Sequence, residues 1–212
     1  MSALMAEHDI LFADDEIVVV NKAADLLSVP GRGADKQDCL WRRVQQHYPT
    51  ARIVHRLDYA TSGVMVLALS ATSHRHLSIQ FQERKTDKSY QAIVAGRLAK
   101  NSGTVNQPLR CDWENRPLQI IDHQQGKSAQ THWRLIEQLD DASRVELTPI
   151  TGRSHQLRVH MQFLGHPILG DRFYATPRQI ERSERLLLHA HSLSFSHPVS
   201  GEPLSFSSPM PF

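Results

Sequence analysis

The segment VMVLAL at residues 64–69 limits the fold of this chain more than any other feature. It is an uninterrupted apolar run that follows Ser62 and Gly63 and ends at Ser70. A short run of this kind, closed by turn residues on both sides, is typical of a strand that is buried on both faces. We therefore expect a sheet in which these residues form a central strand.

Other segments predict hairpins around this strand, with a few helices between them. The predicted strand pairs are residues 9–12 with 17–21, 131–138 with 144–149 and 186–196 with 204–207, and a further strand is predicted at 89–95. Helical spacing is found at residues 39–47, 73–84 and 154–164, where Ser154 is placed to cap the last helix and Gly165 to end it. Because helices interrupt the strands at irregular intervals, we predict an α+β fold. Its sheet should be mixed and mainly antiparallel, with flanking helices.

The composition is typical of an ordinary globular protein. The chain of 212 residues shows no repeat and no linker, so we expect residues 1–212 to form a single domain. No apolar run approaches the roughly 20 residues that cross a bilayer, and no signal-peptide pattern opens the chain. We therefore expect a cytoplasmic protein. The net charge of +2 is weak evidence for a nucleic-acid partner, although 18 of the 24 cationic residues are arginine, which suits phosphate and bases.

Several common catalytic and cofactor signatures are missing. The sequence contains no GxGxxG, GxxxxGK[ST], GxSxG or HExxH segment. Two cysteines are too few for a zinc ribbon or a disulfide scaffold. The thirteen histidines do not fall at spacings that bring three or four ligands together. We expect neither a metal nor a cofactor.

A polar segment, HRLDYATSG at residues 55–63, lies directly before the apolar run. It places a carboxylate, Asp58, and a cation, Arg56, next to a rigid strand, which is where working residues are often found. The alternative is structural, since an aspartate in this position often caps the turn that follows. Residue spacing by itself does not decide between these readings.

A second polar segment, TGRSHQLRVH, occupies residues 151–160. It places Arg153, His155 and Arg158 at the start of the predicted helix, where free N–H groups also favour anions. The alternative is a solvated helix face, which commonly carries such charges. The segment nevertheless suits an anionic partner.

These residues resemble the motifs of the RluA family of RNA pseudouridine synthases along nearly the whole chain. Residues 55–63 are similar to the HRLDxxTSG motif, and four further segments follow in order: 88–92 (KSYQA), 152–160 (GRSHQLRVH), 166–171 (HPILGD) and 187–190 (LLHA). Residues 21–31 are similar to the early NKPxGL segment. The likeness is greatest to the compact, dual-specificity members that act on ribosomal and transfer RNA.

Two departures from the family pattern stand out. Ala23 and Asp25 replace the proline and glycine of the NKPxG segment, which puts the conformation of that loop in question. Many relatives also carry an N-terminal S4 RNA-binding domain. The first strand is predicted near residue 9, so we expect no S4 domain here.

The resemblance implies the pseudouridine synthase fold, with an RNA-binding cleft across the sheet. It also implies an isomerase that converts uridine to pseudouridine in stem-loop RNA without a cofactor. The implied targets are position 746 of 23S ribosomal RNA and position 32 of the transfer RNA anticodon arm, and a monomer is expected. The alternatives are the same chemistry on a different uridine and a non-catalytic RNA-binding protein of the same fold. A nucleoside glycosidase would need a second carboxylate, which neither polar segment supplies.

The resemblance also assigns roles to individual residues. Asp58 is the expected catalytic carboxylate, and whether it attacks C1′, attacks C6 or removes a sugar proton is left open. Arg158, with Arg153 as second choice, is expected to keep that carboxylate ionised. Tyr90 is expected to pack against uracil and to handle the C5 proton. The expected RNA-binding residues are His55, Arg56, Arg153 and His155, of which Arg56 would fill the space that the flipped base leaves.

Overall fold

The computed structural model describes residues 9–212. These residues form two compact units. Unit 1 contains residues 9–88 and 190–211, and unit 2 contains residues 89–189 together with Phe212. The following description takes each unit by itself. That residues 1–212 act as one catalytic domain stays a prediction.

The elements are named in chain order. The strands are β1 (Ile10–Ala13), β2 (Ile17–Lys22), β3 (Arg52–Ile53), β4 (Ser62–Ala68), β5 (Asp87–Ala95), β6 (Ser102–Asn106), β7 (Leu109–Cys111), β8 (Gln119–Ile121), β9 (Gln130–Gln138), β10 (Ala142–Pro149), β11 (Leu188–Ser196) and β12 (Pro203–Ser207). The α-helices are α1 (Leu40–Gln45), α2 (Ala71–Gln82), α3 (Gln156–Phe163) and α4 (Pro177–Ile180), and a 3-10 turn spans Ala34–Lys36.

Unit 1 is built on β4, which is buried along its whole length. The strand order is β1-β2-β4-β11-β12, and the short strand β3 pairs with the end of β4. All seven residues of β4 are buried, which confirms the prediction of a strand enclosed on both faces. Val19 of β2, Val66 of β4 and Leu77 of α2 share one core cluster with Phe195 of β11.

Unit 2 contains an antiparallel sheet and a separate hairpin. The strand order is β5-β10-β9-β6. The register places Leu147 of β10 opposite both Tyr90 of β5 and Trp133 of β9. Strands β7 and β8 form a two-stranded sheet of their own. Leu109 from this hairpin, Val159 from α3 and Tyr174 form a small core beside it.

The predicted α+β fold with a mainly antiparallel sheet is confirmed, and so are the three predicted hairpins and the main helices. Helix α2 begins two residues earlier than predicted because Ser70 accepts the N–H of Ser73 and caps it. Within residues 9–212 no helix is long and apolar enough to span a membrane.

The prediction that Ser154 caps the third helix is wrong. Helix α3 begins at Gln156, and its N-cap is His155, which adopts a left-handed conformation with φ of 53° and makes no side-chain cap. The side chain of Gln156 instead accepts the N–H of Arg153 at 3.1 Å and the hydroxyl of Thr151 at 2.6 Å. The predicted end is confirmed, since Gly165 follows the helix with φ of 81°.

The sequence analysis missed the short strands β3, β6, β7 and β8 and the one-turn helix α4. These elements have two to five residues, and several of them are half exposed, so none carries a readable apolar period. Strand β3 pairs with β4 and β6 pairs with β9, while β7 and β8 pair with each other.

Replacement of Gly63 by alanine should destabilise unit 1 severely. Gly63 has φ of 122°, and a Cβ atom there would lie 2.2 Å from the carbonyl oxygen of Ala190. Both the backbone conformation and the clash with main-chain atoms are unfavourable for alanine. We therefore expect the free energy of unfolding, measured in urea, to fall by at least about 3 kcal/mol.

Gly201→Ala provides the matched control. Gly201 also has a positive φ, 75°, but a Cβ atom there would meet nothing within 4 Å. The substitution should lower the free energy of unfolding by about 1 kcal/mol. Equal losses in the two variants would contradict the steric argument.

Candidate active site

The loop that carries Asp58 connects β3 to β4 and is pinned by Ser28. The N–H of Leu57 donates to Ser28 Oγ at 3.1 Å, and that hydroxyl donates to the carbonyl of Leu57 at 2.8 Å. The side chain of Leu57 is buried, so the residue just before Asp58 is fixed on both sides. Asp58 itself is half-buried.

A main-chain hydrogen bond closes the turn after Asp58. The N–H of Thr61 donates to the Asp58 carbonyl at 3.1 Å. This bond forms the turn with backbone groups of the kind that any residue type provides.

Lys22, at the end of β2, also holds this loop. Its ammonium is fully buried and donates to the carbonyls of Ala23, Leu26 and Tyr59 at 2.8, 2.7 and 3.1 Å. A buried charge is stable only with such partners. The three bonds tie the segment after β2 to the loop of Asp58. The sequence analysis did not assign this role, although Lys22 lies in the NKPxGL-like segment.

The departure at Asp25 is accommodated in the same segment. Asp25 has φ of 55°, the left-handed conformation that favours glycine. Aspartate is among the few other residues that adopt it at modest cost. The loop thus keeps a glycine-like backbone despite the replacement.

The side chain of His55 accepts a backbone N–H of strand β4. Its Nε2 accepts the N–H of Val66 at 3.1 Å, and its ring stacks on Phe81 with centroids 4.5 Å apart. Enclosure of the ring away from water, with a smaller contribution from the charge of Lys88, lowers the pKa of His55 to about 3. The ring is therefore uncharged at neutral pH. An RNA contact by His55 stays a prediction, and an uncharged ring would have to make it.

Arg56 is the exposed cation of this loop. Arg56 lies two residues before Asp58 in the sequence. Within residues 9–212 its side chain forms no ion pair. An exposed guanidinium keeps its donors and its planar face available for a ligand.

Arg158, in the first turn of α3, is held by a buried ion pair in unit 2. Its Nε and Nη2 donate to the two carboxylate oxygens of Asp171 at 2.7 Å each. Asp171 Oδ1 also accepts the N–H groups of Phe173 and Tyr174. The guanidinium lies 5.1 Å from the ring centroids of both aromatic residues. The sequence analysis missed this use of Asp171, although its position in the HPILGD segment is a signal.

The loop before α3 presents the other two residues of the second polar segment. Arg153 is exposed, and its Nε donates to the carbonyl of Ser128 at 3.1 Å. His155 Nδ1 lies 2.6 Å from the hydroxyl of Tyr174, and its ring stacks on Phe173 at 5.7 Å. Helix α3 is not a solvated face, because residues 156–161 are all buried.

The predicted site residues thus form two groups. His55, Arg56 and Asp58 share one loop of unit 1. In unit 2, Arg153, His155 and Arg158 lie at the start of α3, and Tyr90 is a half-buried residue of β5. Their catalytic and RNA-binding roles stay predictions. Among residues 9–212 no cluster of three or more His, Cys, Asp or Glu side chains is arranged to hold a metal ion.

The motifs resemble those of RNA-modifying isomerases, and comparison with known proteins shows the class and the family. The family model described as RNA pseudouridylate synthase matches residues 16–163, and the chain belongs to this family, in its RluA branch. The chain is 53% identical to the dual-specificity RNA pseudouridine synthase RluA of Yersinia pestis over 198 residues, which is 93% of this chain and 96% of that protein.

Two further similarities agree with this assignment. The RluA protein of Escherichia coli strain K12 is 52% identical over 204 residues, covering 96% of this chain and 93% of that protein. The solved structure of human RNA pseudouridylate synthase domain containing 1 is 31% identical with a TM-score of 0.82, covering 96% of this chain and 84% of that chain. The expected pseudouridine synthase fold is therefore confirmed.

Replacement of Asp171 by asparagine should destabilise the protein strongly. The change is nearly isosteric, but it removes the negative charge that pairs with the buried guanidinium of Arg158 at 2.7 Å. Removal of one partner from a buried pair costs about 3–5 kcal/mol, and we expect a loss in this range in urea unfolding.

Asp141→Asn is the control for this prediction. Asp141 pairs with Arg182 at 2.5 Å on the surface, where its side chain is 72% exposed. An exposed pair contributes at most about 1 kcal/mol. A comparable loss in both variants would show that burial of the Arg158 pair does not matter.

Proposed function

We propose that this chain isomerises uridine to pseudouridine in RNA. The observation that carries the proposal is the loop of Asp58. It places a carboxylate just before the start of a fully buried strand, and it is fixed by Ser28 and Lys22. Membership of the RNA pseudouridylate synthase family supports the same reaction. The relatives that match most of the chain are named dual-specificity RNA pseudouridine synthases.

The reaction needs a fixed carboxylate. The N1–C1′ bond of uridine breaks, the base turns, a C5–C1′ bond forms, the C5 proton is lost to solvent, and N1 takes up a proton from solvent. Nothing is oxidised or reduced, and the product has the composition of the substrate. We propose that Asp58 starts this sequence, either as a nucleophile or as a base, because carboxylates serve in both ways at sugar carbons.

The proposal assigns supporting roles to two residues of unit 2. Arg158 is a permanently charged group whose orientation Asp171 fixes, and such a charge favours the ionised form of a catalytic carboxylate. Tyr90 is half-buried rather than enclosed in the core, as an aromatic residue that meets a base must be. We propose that Tyr90 packs against the uracil ring and takes part in loss of the C5 proton.

RNA binding is proposed to involve the exposed side chains beside these groups. A base inside a stem-loop must leave its stack to be modified, which costs a few kcal/mol. Arg56 would stack in the vacated space and repay part of this cost. Arg153 and His155 would contact phosphate or sugar groups, and His55 would contribute a neutral hydrogen bond.

The finer assignments follow from the same proposal. We propose 23S ribosomal RNA position 746 and transfer RNA position 32 as targets, since the named relatives are of dual specificity. We also propose a monomer that works in the cytoplasm without a cofactor and binds RNA in a cleft across the sheet. The same chemistry on a different uridine, or RNA binding without catalysis, are the alternatives.

Asp58→Asn should abolish turnover while leaving RNA binding intact. We expect tritium release from uridine C5 of an anticodon stem-loop to fall by at least about a thousandfold, as for loss of other catalytic nucleophiles or bases. The dissociation constant for the same RNA should change less than about threefold, because the substitution is nearly isosteric. The control is Asp15→Asn, an exposed residue of the β1–β2 turn, which should keep wild-type activity.

This comparison also separates the alternatives. Turnover that survives in Asp58→Asn would remove Asp58 from catalysis. Wild-type protein that binds the anticodon arm and the ribosomal stem-loop but releases no tritium from either would be an RNA-binding protein.

Arg56→Ala should slow turnover without affecting folding. Loss of a stacking contact of about 1–3 kcal/mol predicts a fall in kcat/KM of roughly tenfold to a hundredfold. Fluorescence of 2-aminopurine placed beside the target uridine reports the same defect, since its increase on binding should be lost. Arg52→Ala, also exposed and in β3, is the charge-matched control. A normal fluorescence increase in Arg56→Ala would contradict the stacking role.

A further inference from the structure

The tip of the β7–β8 hairpin is an exposed surface that the site described above does not use. All five residues at positions 113–117 are exposed. Trp113 is 64% exposed, more than the other exposed aromatic residues Tyr59, Phe163 and Phe173. A tryptophan this exposed adds little to the core, and its large aromatic ring is accessible to a ligand.

The arm that carries Trp113 is rigid. The ion pair between Arg110 Nε and Asp122 Oδ2, 2.5 Å long, bridges the base of the hairpin. Nearer the tip, the N–H of Asp112 donates to the carbonyl of Leu118 at 2.9 Å. Asn115 also donates from Nδ2 to Asp112 Oδ2 at 2.9 Å. The exposed ring therefore sits on an ordered scaffold.

Arg116 covers one face of the indole. Its guanidinium carbon lies 4.2 Å from the ring centroid, and its Nε donates to the carbonyl of Trp113. A planar cation on one face of an aromatic ring holds the ring in place. With that face covered and most of the residue exposed, the opposite face of the indole is the one that meets solvent.

The charges of the tip restrict the ligand. Asp112 and Glu114 outnumber Arg116, so the tip has a formal net charge of −1 and does not suit a phosphate backbone. A flat apolar face suits a flat apolar ligand, and unpaired nucleobases stack on tryptophan irrespective of their identity.

The hairpin is also joined to the segment that carries Arg158. The N–H of Gln119, in β8, donates to the hydroxyl of Tyr174 at 2.9 Å. The ring of Tyr174 lies 5.1 Å from the Arg158 guanidinium and edge-on to His155. A ligand on the tip is therefore held by a framework shared with these predicted site residues.

We propose that Trp113 stacks on an unpaired base of the substrate RNA, other than the target uridine, and so contributes to substrate affinity. The inference rests on the proposed function, because it takes RNA as the substrate. It commits to a base contact, and a protein that docks on the same tip would be a different finding.

Tryptophan fluorescence tests this contact directly. The chain has three tryptophans: Trp113 is exposed, Trp133 is buried, and the half-buried Trp41 donates from Nε1 to the carbonyl of Ala51. Titration with an anticodon stem-loop RNA should quench the emission of the wild type. Most of the quenching should be lost in Trp113→Phe, at RNA concentrations where fluorescence anisotropy of labelled RNA shows that the variant is saturated.

Steady-state kinetics provide the second readout. Trp113→Ala should raise KM for the stem-loop about tenfold, which corresponds to about 1.4 kcal/mol, with kcat within about twofold of wild type. Trp113→Phe keeps an aromatic face, so its KM should rise only about threefold. The control Phe163→Ala removes an exposed aromatic residue at the end of α3 and should leave KM unchanged. Melting temperatures of all three variants should match that of wild type.

The outcomes separate this inference from the proposed function. An unchanged KM for Trp113→Ala together with unchanged quenching for Trp113→Phe would overturn the inference, while wild-type turnover would still support the function. A wild type that releases no tritium would refute the function. In that case the quenching experiment still decides the base contact, because it requires binding and no turnover.

Discussion

Every backbone N–H and C=O group along β4 has to find a partner inside the protein, because all seven residues of the strand are buried. Strand β2 supplies partners along one edge. On the other edge β3 pairs with Leu67 and Ala68, and where β3 ends the imidazole of His55 accepts the N–H of Val66. The chain that enters β4 is thereby fixed up to the loop of Asp58. The candidate catalytic carboxylate owes its position to the hydrogen bonding of a buried strand.

The same requirement explains which parts of the fold could be predicted. A short uninterrupted apolar run such as residues 64–69 is typical of a central strand, and tight turns with apolar flanks identify the hairpins. The short segments that form β6 and β7 have no such pattern. Strand β6 depends on β9, a partner far away in sequence, and the three residues of β7 are too few to show a period. The start of α3 was mispredicted for a related reason, because the side chain of Gln156 rather than Ser154 organises the preceding loop.

The candidate site likewise has residues that could be predicted from the sequence and residues that could not. Asp58 and Arg158 could be named from the sequence because their motifs are specific. Asp171 and Lys22 could not be assigned their contacts, because each acts through a long-range pairing that only the folded chain reveals. The charge expected from residue type alone would also have given a wrong picture of two residues. His55, which was expected to contact RNA, is uncharged at neutral pH, and Arg158 is buried although a solvated helix face was the alternative.

Lys22 has a consequence for how this chain can vary in length. Its ammonium joins the carbonyls of Ala23 and Leu26 to that of Tyr59, in a place that water does not reach. An insertion or deletion on either side of this junction would withdraw an acceptor from a buried charge, which is costly in folding free energy. The segment after β2 and the loop of Asp58 therefore both have to keep their lengths.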